Sequence, residues 1–250
     1  FCCPPAVGIQ MMLSENFFPI LGVFLSTALY LAPFPAVYRA VRVGSLGTFN
    51  VIPAAVMCLS TISWVMYSLS VPNPYIFAAN VPGTIASAYY VVATLPLLSG
   101  SVRERASVQL IIVVGTTIKL ALWGYVIFSA MSSEDRSTLL GGYASLICVI
   151  LFASPLSTIR EVIATGSSVS IYAPLTLTQI TNCGTWTFYG WFIVHDVWVY
   201  GPNATGLTLG LIQMVLKLIY PGKDEAARTL RARTSPEAWD DNTSTENDSQ

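Results

Sequence analysis

The stretch LAPFPAVYR, Leu31 to Arg39, closes an apolar run that begins near Phe17. Two prolines stand inside it, Pro33 and Pro35. A proline removes a backbone donor, and inside a helix of a soluble protein it costs roughly 3 kcal/mol or more. Arginine follows at once. Far downstream the chain reads FASPLSTIR, Phe152 to Arg160, with Pro155 in the place of Pro33. A device written twice points to a chain built twice.

Other residues keep the same offset. Pro33 and Pro155 are 122 residues apart, and so are Gly44 and Gly166, Ser45 and Ser167, Trp64 and Trp186, and Tyr67 and Tyr189. Pro53 and Pro174 are 121 apart, while Asn80 with Asn203 and Gly83 with Gly206 are 123 apart. Adjustments of one residue in loops explain the drift. Eight pairs of differing residue types in one order define an internal repeat.

Composition says where such a chain lives. Its 250 residues are 54% hydrophobic and only 10% charged, with mean hydropathy +0.62. A soluble domain carries about 25% charged residues. A bilayer crossing needs roughly 20 apolar residues in a helix, and seven runs qualify: about 17–38, 49–70, 75–98, 106–130, 139–159, 170–194 and 197–219. The expected fold class is therefore an all-α membrane protein of seven transmembrane helices. Residues 1–16 form an N-terminal segment, 17–98 a first three-helix repeat, 106–130 a linker helix, 139–220 a second three-helix repeat, and 221–250 a polar, disordered tail. Three spans invert the chain, so one extra helix must restore the direction of the second copy. The result is two parallel three-helix bundles in a 3+1+3 plan. Such repeats place a substrate site between them, near the bilayer midplane.

Orientation follows from the basic residues. Arg39 and Arg42, Arg103 and Arg105, Arg160, and the tail's Lys223, Arg228, Arg231 and Arg233 fall on one face; the other has only Arg136, beside Glu134 and Asp135. The N-terminus is expected outside or in a lumen and the C-terminus in the cytoplasm. The net charge of −1 leaves no basic footprint for nucleic acid. Cys2, Cys3, Cys58, Cys148 and Cys183 form no C-x-x-C pair. They suit neither a disulfide framework nor a metal site. No G-x-S-x-G occurs and the one histidine, His195, gives no triad. No enzyme, metal or cofactor is expected.

The segments LAPFPAVYRAVRVGS, SWVMYSL, FAANVPG, FASPLSTIREVIATGS, WTFYGW and GPNATGLTLGLIQMVL resemble the SWEET sugar transporters of the MtN3/saliva type, the doubled eukaryotic form of the bacterial semiSWEETs. The resemblance runs from about Phe17 to Tyr220. It implies a passive, bidirectional sugar uniporter working by alternating access, with a small sugar and the lipid bilayer as partners; monomer and homo-oligomer both stay open. It implies that Asn80 and Asn203 bind sugar, that Trp64 and Trp186 stack on it, and that Pro33, Pro53, Pro155 and Pro174 are hinges. The residue types agree. An amide offers donors and an acceptor to a polyol, and an indole face packs on the C–H face of a pyranose. A helix–helix hydrogen bond is the alternative role for each asparagine, and an interfacial anchor the alternative for each tryptophan; Trp123, Trp191 and Trp198 suit the anchor role better.

Ser60 and Asn182 stand one helical turn before the paired tryptophans, on the same face. Leu29 and Leu151 stand four residues before Pro33 and Pro155. All four are expected to face the pocket; Asn182 and the two leucines are expected to narrow it and favour monosaccharides such as glucose over sucrose, with core packing as the alternative for the leucines. Gly206 with Gly210, and Gly83 with Ser87, form small-residue faces that admit close helix approach. No acidic residue lies mid-span, and proton-coupled carriers usually need one or a histidine there. Lys119 is the one charge well inside a span and either snorkels or pairs within the bundle. Three other readings compete: a PQ-loop-like carrier of amino acids, a cargo receptor of that superfamily, and a seven-helix signalling receptor or retinal protein. The first two usually carry a Pro-Gln pair where this chain has Pro35-Ala36 and Pro155-Leu156. The third does not explain the repeat.

Overall fold

The computed structural model describes residues 5–47 and 49–220. The expected disordered tail, 221–250, lies outside the described residues. Helices α1 (Pro5–Leu31) and α2 (Phe34–Val43) form the first span, α3 (Val51–Ser70) the second and α4 (Pro74–Thr94) the third. Helix α5 (Val102–Phe128) is the linker. Helices α6 (Ser133–Leu151) and α7 (Ala153–Thr165) form the fifth span, α8 (Ala173–Phe188) with a π-helical turn at Tyr189–Ile193 the sixth, and α9 (Val197–Ile219) the seventh. The architecture is 3+1+3 and all-helical among the described residues. Helix α1 starts at Pro5, ahead of the boundary expected at 17, because no breaker separates the two and proline is at home in a first turn.

The segments Glu15–Val43, Val51–Ser70, Pro74–Leu98, Val102–Phe128 and Ser133–Thr165 are long and apolar enough to cross a membrane by length and composition. Helix α8 has only 16 residues and is rich in threonine. Thr176, Thr178, Thr181, Thr185 and Thr187 each turn the hydroxyl back onto a carbonyl one turn earlier, so the polarity is satisfied within the helix. Helices α8 and α9 hold the repeat positions of α3 and α4.

The first and fifth spans are each broken. Pro33 has no N–H for Leu29 O, and that carbonyl instead accepts from Ala32 N at 3.3 Å. In the second copy Phe152 N bonds to Val149 O at 3.0 Å, and the α-helical ladder restarts at Ala153 ahead of Pro155. Both second halves, α2 and α7, end on a left-handed glycine, Gly44 at φ 73° and Gly166 at φ 62°. A side chain there would be strained, which explains that repeat pair. Buried Tyr90 donates to Tyr30 O at 2.9 Å, and Gln213, at its repeat position, reaches Pro155 O at 3.4 Å. Each break is thus braced from the third span of its own bundle.

Pro53 and Pro174 stand in the first turns of α3 and α8, where the missing N–H has no helical acceptor to lose. Unlike Pro33 and Pro155, they mark helix starts and not breaks within a span. Prolines do interrupt α1, α4 and α9, at Pro19, Pro82 and Pro202. The carbonyl that Pro202 frees, on Trp198, accepts from Ser145 Oγ of α6 at 3.2 Å. Trp198 itself lies against Gly141, where an added Cβ would come within 2.5 Å of the indole. It is a packing residue between α6 and α9 rather than an anchor; Trp191, 52% exposed, keeps an anchor's position.

Each bundle packs its third span against its other two, α4 on α1 and α3, and α9 on α6 and α8. The bundles meet through α1 with α8 and through α3 with α6, related by the repeat. Helices α2 and α7 pack on α4 and α9 of their own bundles. The breaks therefore fall where the chain leaves the interface between bundles. Helix α5 packs on α3. There Lys119, 3% exposed, donates its Nζ to Leu59 O. The charge that the sequence places well inside a span is a strut between helices.

Candidate functional site

Helix α3 turns Pro53, Met57, Ser60 and Trp64 to one side, and α8 turns Leu175, Gln179, Asn182 and Trp186 to the facing side. The spacing, four then three then four, is one face of a helix, and it is the same in both copies. Helices α4 and α9 add Ile76 with Asn80 and Val199 with Asn203. Helix α1 adds Ser26, Leu29 and Tyr30, and α6 with its C-cap adds Cys148, Leu151 and Phe152. Together they enclose a cavity of about 370 Å³ between the bundles. All eight residues expected at a substrate site lie on its wall. Pro53 and Pro155 also reach it; Pro33 and Pro174 do not. Tyr30, Ser26, Gln179 and their counterparts were missed. The helical period, counted from Trp64, Trp186 and the leucines, is the signal that points to them; as unlike pairs they carry none from the repeat.

The polar groups are tied down across the bundle interface. Trp186 Nε1 donates to Ser26 Oγ at 3.0 Å, and Ser26 donates to Asn182 Oδ1 at 2.9 Å. In the other copy Trp64 meets Cys148, the counterpart of Ser26. Asn80 Nδ2 bonds to Ile76 O at 2.8 Å and Asn203 Nδ2 to Val199 O at 2.7 Å. Each amide uses one N–H to brace itself on its own helix. Ser26→Ala leaves a buried indole N–H and an amide oxygen without partners. It is expected to destabilise the purified protein by about 1–3 kcal/mol, readable as a lower melting temperature in detergent.

Beyond the tryptophans the cavity is closed. Trp64 packs edge-on against Tyr67 at 5.7 Å and 87°, and Trp186 against Tyr189 at 5.7 Å and 82°. Tyr67 donates to Asp196 Oδ2 at 2.6 Å and meets Ser137 Oγ at 3.3 Å; Asn73 Nδ2 donates to the Tyr189 hydroxyl at 2.9 Å. Asn73 and Asp196 are themselves repeat counterparts that cap α4 and α9. Each bundle's tyrosine is thus held by the other bundle's helix cap. Asp196, in sequence only a link residue, is half of this seal. His195 beside it takes φ 52°, the left-handed turn that aims the cap. At the opposite end, near Pro53, Pro155 and Leu175, no matching set of cross-bundle bonds occurs among the described residues. Nor are three or more His, Cys, Asp or Glu side chains grouped there to hold a metal ion.

A doubled three-helix bundle with one pocket on its pseudo-twofold axis, sealed at one end, is the architecture of an alternating-access membrane carrier. A family model described as sugar efflux transporter for intercellular exchange matches residues 16–96 and 138–225, the two repeats without α5. The bidirectional sugar transporter SWEET12 of Oryza sativa subsp. japonica is 31% identical over 213 residues, which are 83% of this chain and 69% of that protein. The bidirectional sugar transporter SWEET14 of Arabidopsis thaliana is 28% identical over 218 residues, 84% of this chain and 76% of its own. A solved eukaryotic SWEET transporter shares the fold, with TM-score 0.75 at 22% identity, covering 83% of this chain and 97% of the other. This chain belongs to the SWEET (MtN3/saliva) family.

Proposed function

We propose that this protein is a passive, bidirectional sugar uniporter that favours monosaccharides such as glucose. The observation that carries the reading is the pocket: two asparagines and two tryptophans, one of each per repeat, around a space sealed at one end only. Relatives across most of the chain are named bidirectional sugar transporters. Asn80 and Asn203 meet sugar hydroxyls, and Trp64 and Trp186 cover the apolar faces of the ring. Leu29, Leu151 and Asn182 take up room beside them, which disfavours a disaccharide.

Transport follows from the packing. Helices α1 and α6 stay engaged across the interface while α2 and α7 move with their own bundles about Pro33 and Pro155. Breaking the tyrosine–cap pairs opens the sealed end, and closing the other end completes the exchange. The sealed end lies outside or in a lumen by the arginine placement, so the form described faces the cytoplasm. No Asp, Glu or His lines the cavity, and flux follows the sugar gradient.

The test is uptake of labelled glucose and sucrose in cells lacking their own hexose carriers. Glucose uptake is expected to saturate, to exceed sucrose uptake, and to persist with a proton ionophore. Trp186→Ala should reduce it about tenfold or more, since it removes both the stacking face and the bond to Ser26. Protein that reaches the membrane and moves neither sugar refutes the reading.

A further inference from the structure

Among the differences between the two halves of the pocket is the hydroxyl of Tyr30, which stands beside a paired asparagine. Tyr30 on α1 and Phe152, at the junction of α6 and α7, occupy matching places on the wall. Both are seated on the repeat's paired glycines. A Cβ at Gly83 would come within 2.5 Å of the Tyr30 ring, and one at Gly206 within 3.1 Å of the Phe152 ring. Only Tyr30 has a phenol, and it donates to Asn80 Oδ1 at 3.1 Å. The backbone carbonyl of Tyr30 is itself held by Tyr90, so the ring is fixed from two directions.

The consequence falls on the asparagines. Asn80 has its oxygen engaged by Tyr30 and one N–H engaged by Ile76 O. It faces the pocket with its second N–H, and the phenol oxygen beside it keeps a lone pair to accept with. Asn203 commits one N–H to Val199 O, and its Oδ1 has no donor among the described residues. One half presents an amide donor and a phenol acceptor, the other a whole amide edge. A pyranose carries a different hydroxyl at each ring position, so the two halves are not interchangeable to it.

We propose that Tyr30 is a further sugar-contacting, specificity-determining residue, whose hydroxyl makes Asn80 and Asn203 inequivalent and so helps to set one orientation of the sugar between the two halves of the pocket. The proposal rests on the sugar-carrier reading. It predicts that selectivity among ring hydroxyls is written at residue 30 and is transferable to residue 152.

The test uses the full chain in liposomes, with labelled glucose counterflow and the monodeoxyglucoses as competitors. Tyr30→Phe is expected to change competition at one ring position by about two- to tenfold relative to the others, the worth of one hydrogen bond, whatever its effect on the overall counterflow rate. Phe152→Tyr, which gives Asn203 the same partner, should alter a different position. The double variant Tyr30→Phe/Phe152→Tyr should move the hydroxyl requirement from the first position to the second. A uniform fall in rate with unchanged competition ratios means that Tyr30 only packs, and overturns the proposal. If Tyr30→Phe does not fold, an unchanged profile in Phe152→Tyr overturns it equally. Wild-type protein without sugar counterflow refutes the sugar-carrier reading and this proposal with it. Wild-type counterflow with unaltered variant profiles refutes the role of Tyr30 alone.

Discussion

Asn80→Ala/Asn203→Ala is expected to reach the membrane and carry no measurable sugar. Each asparagine braces itself on its own helix with one N–H, so alanine loses a local bond at 203 and, at 80, a local bond and the one from Tyr30; helix formation is not threatened. The pocket, by contrast, loses both amides at once. A neutral hydrogen bond contributes about 0.5–1.5 kcal/mol, and stranding a buried partner costs about 1–3 kcal/mol. Tyr30 would be stranded in this way. Two such losses amount to a fall of about a hundredfold or more in uptake efficiency. Surface labelling establishes that the variant is present, and initial uptake rates read the loss. Normal uptake by the double variant removes the asparagines from the site. The single variants should fall between, with Asn203→Ala keeping the Tyr30–Asn80 pair intact.

The second large effect concerns the seal. Tyr67→Phe deletes the hydroxyl bonded to Asp196 at 2.6 Å and leaves the buried ring in place. Asp196→Asn keeps a cap on α9 while weakening the same bond. A hydrogen bond to a charged group is worth about 1.5–3 kcal/mol, which shifts an open–closed equilibrium by about ten- to a hundredfold. The natural reporters are Cys148 and Cys183, both on the cavity wall. With Cys2, Cys3 and Cys58 changed to serine, a membrane-impermeant thiol reagent applied to the sealed side should label the Tyr67→Phe protein about tenfold faster or more. Glucose should slow that labelling. Equal labelling of parent and variant would falsify the seal. Asn73→Ala tests the other half, and its smaller expected effect follows from a bond between neutral groups.

The plan of the fold was legible because the chain is doubled. A repeat offset locates Trp64 with Trp186 and Asn80 with Asn203 without any knowledge of packing, and all four line the cavity. Residues that differ between copies were harder to read. Ser26 faces Cys148, Tyr30 faces Phe152 and Met57 faces Gln179, and unlike pairs leave no repeat signal. They are also the residues that make the halves chemically distinct. The prolines show a second limit of spacing. Pro53 and Pro174 repeat as well as Pro33 and Pro155 do, yet they sit in first turns where proline disturbs nothing. Spacing alone does not locate a helix end. Asp196 looked like a link residue because its partner, Tyr67, is far away in sequence and comes from the other bundle.

The two packed cores differ in when they can exist. One, from Val37 to Val108 with Ile111 and Ile112 against it, uses only the first bundle and the start of α5. The other, behind the tryptophans, needs Trp64 and Tyr67 together with Trp186, Tyr189 and Val199. During synthesis the ribosome releases every residue of the first core before it has made the sixth or seventh span. Chains assemble from the N-terminus as they emerge, so the first bundle can settle in the bilayer as a finished template. Lys119 then fastens the inverting helix to it through Leu59 O, and the newborn second bundle docks on a surface already in place. The pocket forms only once that second bundle has docked.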